Sequence, residues 1–183
     1  MKKIRKISLL IILLVCVLVI SGCDSSEKTV KTSNTNSNVK TGKMVHKHCT
    51  RAATAGEGID VSLNYELYYT DDLLNVLHSE EKVTSENSES LDTYEKAYKD
   101  IHANYKGLKY YDTDVVRDEN SVTSIIHINY DKVNIAALID IEGEEDNIFE
   151  NGQAKVDKWI SLSKKFGTKC TVVNDLEEQN SEA

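Results

Sequence analysis

Proline is absent from all 183 residues of the chain, although average usage of about 5% would place several in a protein of this length. Turns must therefore be made by glycine, asparagine and aspartate. Large aromatic side chains without a hydroxyl are also scarce, with 2 phenylalanines and 1 tryptophan against 9 tyrosines. Because a tyrosine hydroxyl needs water or a hydrogen-bond partner, this balance predicts a thin core with tyrosines at its edge.

Positive charge is in short supply as well. The chain has 22 Lys and Arg residues against 30 Asp and Glu residues, and its formal net charge is -8. Residues 1–22 contain four cations and no anion, so without them the charge becomes -12. Nucleic acid and anionic lipid head groups are bound by clustered Lys and Arg. The sequence therefore argues against either as the binding partner.

Familiar catalytic patterns are missing from the sequence. It contains no Gly-x-Ser-x-Gly elbow and no metal-hydrolase helix. The glycine pair in Gly56-Glu57-Gly58 opens a strand pattern and lacks the third glycine of a dinucleotide-binding loop. Asp and Glu are so numerous that two carboxylates will lie close together by chance, so such a pair is no evidence of a catalytic site. We predict that the protein is not an enzyme and uses no cofactor.

The N-terminus has the organisation of a bacterial export signal. Four cations in residues 1–6 precede an almost unbroken apolar run over residues 7–20. That run is shorter than the roughly 20 apolar residues of a membrane span. Its Ser21-Gly22-Cys23 ending resembles the lipobox of bacterial lipoproteins. We predict a signal peptide over 1–22, lipidation of Cys23 and a place at the extracytoplasmic face of the cell membrane; the alternative is an uncleaved N-terminal anchor.

The remaining cysteines predict a disulfide. Cys16 lies in the signal segment and Cys23 would carry lipid, which leaves Cys49 and Cys170 together in an oxidising compartment. No C-x-x-C pair is present, and such a pair is what lowers a thiol pKa in redox enzymes. We therefore expect the bridge to be a structural link between distant parts of the chain.

Composition divides the exported part into three segments. Residues 23–43 consist of the cysteine that would carry lipid and a segment of mostly Ser, Thr, Asn and Lys. This segment predicts a flexible tether with a reach of about 25 Å. Residues 44–173 have the mixed apolar and polar pattern of one domain. Residues 174–183 are acidic and offer little to bury, so we expect a disordered tail.

Hydrophobic spacing in residues 44–173 predicts the order β, β, β, α, β, β, short α, α, β. The first of these strands covers 44–51, and a loop follows Arg51. The alternation over 59–69 predicts a half-buried antiparallel strand. In the next strand, residues 73–84, either Leu74, Val76 and His78 or Leu73 and Leu77 face inward. The fold class is therefore α+β, a single domain with an antiparallel sheet of five to six strands and helices packed on one face.

Two helices are predicted with particular start residues. The first carries Leu91, Tyr94, Tyr98, Ile101 and Tyr105 within one arc, and Ser88 or Ser90 is its expected N-cap. The last begins at Asp157 as N-cap and ends at Gly167, before a closing strand.

A histidine pair is the best candidate for a metal site. His46 and His48 lie two residues apart on a predicted strand, so both imidazoles project from one face. A third ligand for zinc or copper would have to come from His78, His127 or an acidic residue on a neighbouring strand. Without such a ligand in the sequence pattern, we interpret the pair as ordinary surface histidines.

An acidic segment has a weak likeness to a calcium loop. Asp140, Glu142 and Glu144 alternate, but glycine stands at the fourth position instead of the sixth. Asn151 would occupy the last position, where a bidentate glutamate is required. We therefore predict a solvated acidic loop over residues 140–151.

The domain resembles the YehR-like family of small bacterial lipoproteins. The resemblance covers nearly all of residues 44–173 and is carried by five short motifs: Cys49-Thr50-Arg51, the strand around Tyr65 to Tyr69, Tyr105-Lys106-Gly107-Leu108, Tyr130-Asp131-Lys132-Val133-Asn134, and residues 164–170. It implies the compartment and the α+β architecture, and no activity. Since some members lack the cysteine pair, it also implies that the bridge adds stability to a fold that does not require it.

Two functions are consistent with these features. The first is a lipid-anchored, non-catalytic binding or envelope-associated domain, with the membrane and an unidentified envelope protein as partners. The alternative is a small-ligand or metal-binding lipoprotein that serves a transporter. Metal titration distinguishes the two.

Overall fold

The computed structural model describes residues 42–142 and 148–173. The predicted signal peptide, the Cys23 lipidation site, nearly all of the tether and the acidic tail lie outside the described residues. The elements in chain order are β1 (Met44–Gly56), β2 (Ile59–Thr70), β3 (Leu73–Ser85), α1 (Ser88–Ala103), β4 (Tyr111–Arg117), β5 (Ser121–Asn129), α2 (Ile135–Glu142), β6 (Phe149–Glu150), β7 (Gln153–Ala154), α3 (Val156–Lys165) and β8 (Lys169–Val173).

Six strands form one antiparallel sheet in the order β4-β5-β3-β2-β1-β8, and β6 and β7 form a separate two-stranded ladder. Together with the three helices of residues 42–142 and 148–173, this is the predicted single-domain α+β fold. β1 runs on to Gly56, past the predicted end at Arg51, because Ala52, Ala53 and Thr54 continue to pair with β2. The loop predicted after Arg51 is thereby reduced to the tight turn at residues 57 and 58.

An extra residue in β3 explains its ambiguous pattern. Tyr68 pairs with Val76 and Tyr69 pairs with Leu74, so Asn75 has no partner residue on β2. Such a β-bulge shifts the alternation by one residue. As a result, Leu73, Leu74 and Asn75 are all buried, and beyond the bulge Leu77 faces inward, as in the second of the two predicted sets.

The helix starts differ from the predictions. The N-cap of α1 is Asn87, whose side chain accepts a hydrogen bond from the Ser90 amide, in place of Ser88 or Ser90. The N-cap of α3 is Lys155 in place of Asp157. Asp157 lies instead in the first turn, where its charge favours the positive end of the helix dipole. None of the helices in the described ranges is long and apolar enough to cross a membrane.

The helices pack on one face of the sheet, which we call the covered face. Two apolar clusters lie beneath them. α1 packs over Val61, Leu63, Val83 and Val122, and its Leu91 and Tyr98 complete that cluster. The larger cluster joins α2, α3 and the β6–β7 ladder to Leu67, Leu77 and Ile128. The opposite face, which we call the open face, has no helix on it among the described elements.

Candidate functional site

A continuous row of polar side chains crosses the open face. Residues that lie directly opposite one another in an antiparallel sheet point to the same side. The row takes one residue from each of the six strands, in the order Thr171, His48, Glu66, His78, His127 and Asp112. With about 4.8 Å between strands, it is roughly 24 Å long. We call it the histidine row.

Four of the five histidines of the chain belong to this face. His48, His78 and His127 lie in the histidine row, and His46 lies beside it, opposite Tyr68. The fifth, His102, is buried on α1 between that helix and the covered face, where its Nε2 lies 2.9 Å from the Ser124 hydroxyl. Burial lowers the pKa of His102, and the nearby Asp114 charge opposes that shift. Imidazoles that solvent can reach are therefore concentrated on the open face.

Glu66 joins the two predicted histidines. His46 Nε2 lies 2.5 Å from one of its carboxylate oxygens, and His48 Nδ1 lies 2.6 Å from the other. All three side chains are in reach of solvent, with 16% of His46, 36% of His48 and 31% of Glu66 exposed. Since an ionised carboxylate only accepts hydrogen bonds, each of these ring nitrogens carries a hydrogen and donates it.

The histidines also change the acidity of Glu66. Its partial burial by itself would raise the pKa of the carboxyl group. The hydrogen bonds from His46 and His48, together with their charge, outweigh that effect, so the pKa of Glu66 lies below its usual value. The carboxylate is therefore ionised at neutral pH.

Tyr68 fixes the orientation of one imidazole. Its ring stacks on the ring of His46, with centroids 4.4 Å apart and an angle of 8° between the planes. Both rings project from neighbouring positions on paired strands, because His46 and Tyr68 are directly opposite in the register. His46 is thereby held with its Nε2 toward Glu66.

The second histidine pair of the row is looser. The ring centroids of His78 and His127 lie 6.2 Å apart at an angle of 52°. His78 Nε2 is 3.2 Å from a carboxylate oxygen of Glu80, a residue whose side chain is 45% exposed. This pair has no acidic residue between its rings, in contrast to His46 and His48.

The other predicted site residues lie elsewhere. Cys49 and Cys170 are opposite each other on β1 and β8, with their sulfur atoms 2.09 Å apart, at disulfide distance. Asp140 and Glu142 lie in the last turn of α2, so the predicted acidic loop is wrong over those residues. Glu144 is outside the described residues. A shallow depression near Ala52 and Ser62 has Asp60 as its only titratable lining residue.

Sequence reasoning did not single out Glu66, although the alternation of β2 does place it on the polar side of that strand. It also missed Glu81, which lies on the covered face and accepts a hydrogen bond of 2.7 Å from the Tyr98 hydroxyl. Burial raises the pKa of Glu81, although the Tyr98 hydrogen bond and the Arg51 charge oppose the shift. No local pattern distinguishes Glu81 from a surface residue, because its burial depends on α1 crossing above it.

Comparisons with known proteins bear on the fold. The NMR structure of the E. coli YehR protein matches with a TM-score of 0.50 and 17% sequence identity, over 76% of this chain and 99% of that one. An NMR structure of a protein from Streptococcus pneumoniae TIGR4 matches with a TM-score of 0.44 and 13% identity, over 82% of this chain and 99% of that one. The first match supports a YehR-like fold. No protein-family model matches the chain, and no curated protein sequence matches it.

Proposed function

We propose that the protein is a lipid-anchored bacterial lipoprotein of the YehR-like family, which binds an envelope partner without catalysis at the extracytoplasmic side of the cell membrane. The proposal combines the signal pattern that ends at Cys23 with the YehR-like fold. Two acyl chains on Cys23 suffice for stable anchoring, whereas one binds a membrane only marginally.

The open face is the observation that carries the binding role. Helices occupy the covered face, whereas the histidine row presents polar side chains to solvent across all six strands. The six-stranded sheet makes this surface broad, and a broad surface suits contact with another protein.

A comparison of crosslinking positions tests the binding role. A photoreactive residue placed at His127 reports on the open face, and one at Lys96, on the solvent side of α1, is the matched control because its side chain is 75% exposed. In cells, we expect specific crosslinks to an envelope protein from His127 and not from Lys96. Equal crosslinking from both positions, or none from His127, would contradict the proposal.

The anchor has a separate test. Cys23→Ser removes the sulfur that would accept the lipid, so the variant is expected to take up no fatty-acid analogue in growing cells. Labelling that persists in Cys23→Ser would reject the anchor.

The second candidate function is a small-ligand or metal-binding lipoprotein that serves a transporter. The contact of His46 and His48 with one carboxylate favours it, because Glu66 supplies the acidic third group that the histidine pair lacked in the sequence. Titration of the purified protein with zinc, copper and calcium is the direct test, and stabilisation by none of them would leave only organic ligands.

A further inference from the structure

We propose that His46, His48 and Glu66 bind one zinc or copper ion, which takes the place of the hydrogens that now join the imidazoles to the carboxylate. We call these three residues the β1–β2 trio. The inference deepens the second candidate function, on which it rests, and names its residues and its class of ligand.

The donor atoms suit a borderline transition metal. The trio offers two imidazole nitrogens and one carboxylate oxygen, a set found in zinc sites that keep a position open for water. Calcium and magnesium prefer sites made of oxygen ligands. The partial exposure of all three side chains gives a metal a path from solvent and lets water complete its coordination.

The donor atoms of the trio are closer together than the ligands of a bound metal would be. Within residues 42–142 and 148–173, no three His, Cys, Asp or Glu side chains have the spacing of a metal centre. Two ligands at about 2.05 Å from a tetrahedral zinc are roughly 3.3 Å apart. In the trio the nitrogen and oxygen atoms are 2.5 and 2.6 Å apart. They must separate by roughly 0.8 Å to admit a metal, which requires small rotations of the three partly exposed side chains.

The exchange balances in atoms and charge. A protonated ring releases its hydrogen ion to solvent and coordinates the metal through the freed lone pair. A neutral ring moves its hydrogen to its other nitrogen and coordinates in the same way. Glu66 stays ionised throughout, so its negative charge offsets part of the charge of the metal.

The framework around the trio favours one geometry. His48 and Glu66 are directly opposite on paired strands, and His46 is held by its stack on Tyr68. Binding therefore orders few additional side chains, which reduces its entropic cost. The looser pair of His78 and His127 is also directly opposite on paired strands, but its rings are tilted by 52° with centroids 6.2 Å apart, and it serves as the internal comparison.

The experiment uses the full chain, purified in detergent and stripped of metal with a chelator. Zinc is titrated by calorimetry, and bound copper is examined by electron paramagnetic resonance for coupling to nitrogen. We expect one metal per chain and a copper spectrum with two nitrogen ligands. His48→Gln and Glu66→Gln should each weaken zinc binding at least tenfold, and His127→Gln should change it less than twofold.

Each outcome decides between the alternatives. Absence of zinc and copper binding, or an equal loss of affinity in His127→Gln, overturns the site. Metal-free unfolding curves show whether a variant still folds, and the conservative Glu66→Asp, which keeps the carboxylate, should retain more affinity than Glu66→Gln. If metal fails to bind while crosslinks from the open face persist, only this site is rejected. If metal binds and those crosslinks are absent, the binding role fails and the site stands.

Discussion

Glu66 on the open face and Glu81 on the covered face carry the same functional group in opposite electrostatic settings. Two imidazoles lower the pKa of Glu66, and burial under α1 raises the pKa of Glu81. Glu81 as a whole residue is only partly buried, but its carboxyl end lies within the packing next to Tyr98. The charged form of a glutamate is therefore favoured at Glu66 on the open face and disfavoured at Glu81 on the covered face.

Alternation along a single strand produces this separation. Glu80 and Glu81 are consecutive in β3, and the first is near His78 on the open face whereas the second contacts Tyr98 beneath α1. Burial also raises the pKa of Tyr94 to about 12, with a further contribution from the Glu81 charge. Burial on the covered face therefore disfavours the charged forms of both Glu81 and Tyr94.

The largest expected effect concerns the cysteine pair, which lies on the covered face. Cys49 is fully buried, and its partner is 121 residues away in the chain. In the chain-entropy account, a bridge that closes such a loop contributes up to about 5 kcal/mol, although measured gains are often smaller. Reduction should therefore lower the midpoint of urea unfolding markedly. Identical unfolding curves with and without reductant would show that the pair adds no stability.

The second prediction compares the two faces of β2 directly. Leu67 is completely buried in the larger cluster, and Asn64 is exposed on the open face of the same strand. Leu67→Ala should lower the free energy of unfolding by about 3 kcal/mol through lost burial and the cavity that remains. Asn64→Ala, the matched control, should change it by less than about 0.5 kcal/mol. Similar losses in both variants would mean that the two faces are not distinguished by burial.

Features that depend on the alternation of side chains along one strand could be predicted from the sequence. The alternation of β2 places Val61, Leu63 and Leu67 on one side, where the structure buries them, and Glu66 on the other. The fold class and the position of Cys170 near Cys49 also followed, since a closing strand was expected. Local periodicity carries this information because a strand has only two faces.

The rest depends on partners that local sequence does not specify. His127 meets His78 only because β5 pairs with β3, so that β5 lies between β3 and β4. The bulge at Asn75 is set by pairing with β2 and has no glycine or proline to mark it. Likewise, Asn87, Ser88 and Ser90 are all good N-caps by type, and only the backbone angles decide among them.

The third prediction uses the two glutamates as controls for each other. Folding raises the pKa of Glu81. At a pH between its pKa values in the unfolded and folded states, the folded state therefore holds a proton that the unfolded state has lost. The free energy of unfolding therefore falls as pH rises through that window. Glu66 has a lowered pKa, so the unfolded state binds more protons in its window. The contribution of Glu66 to the free energy of unfolding is present above its pKa in the unfolded state and is lost as pH falls through its lower pKa in the folded state.

The two Glu→Gln variants should accordingly have opposite effects at neutral pH. Glu81→Gln should raise the free energy of unfolding by on the order of 1 kcal/mol, since it removes a poorly solvated charge and keeps an oxygen for Tyr98. Glu66→Gln should lower it by about 0.5 kcal/mol, because its exposed ion pairs are weak. Urea unfolding from about pH 3 to about pH 8 measures both. Effects of the same sign in both variants would contradict the assigned environments.

The last prediction tests how α1 is held over the covered face. Asn87 accepts the Ser90 amide hydrogen at 3.1 Å, and Asn87→Ala leaves that amide without its cap. We expect the free energy of unfolding to fall by about 0.5 to 1 kcal/mol, as for other exposed N-caps. Ser90→Ala, which keeps the capped amide, is the matched control and should be nearly neutral. Because the lost cap loosens the start of α1, amides of α1 should exchange hydrogen faster in Asn87→Ala, while amides of β1 and β2 stay unchanged. A larger loss in Ser90→Ala than in Asn87→Ala would instead identify Ser90, one of the two serines predicted from the sequence, as the cap.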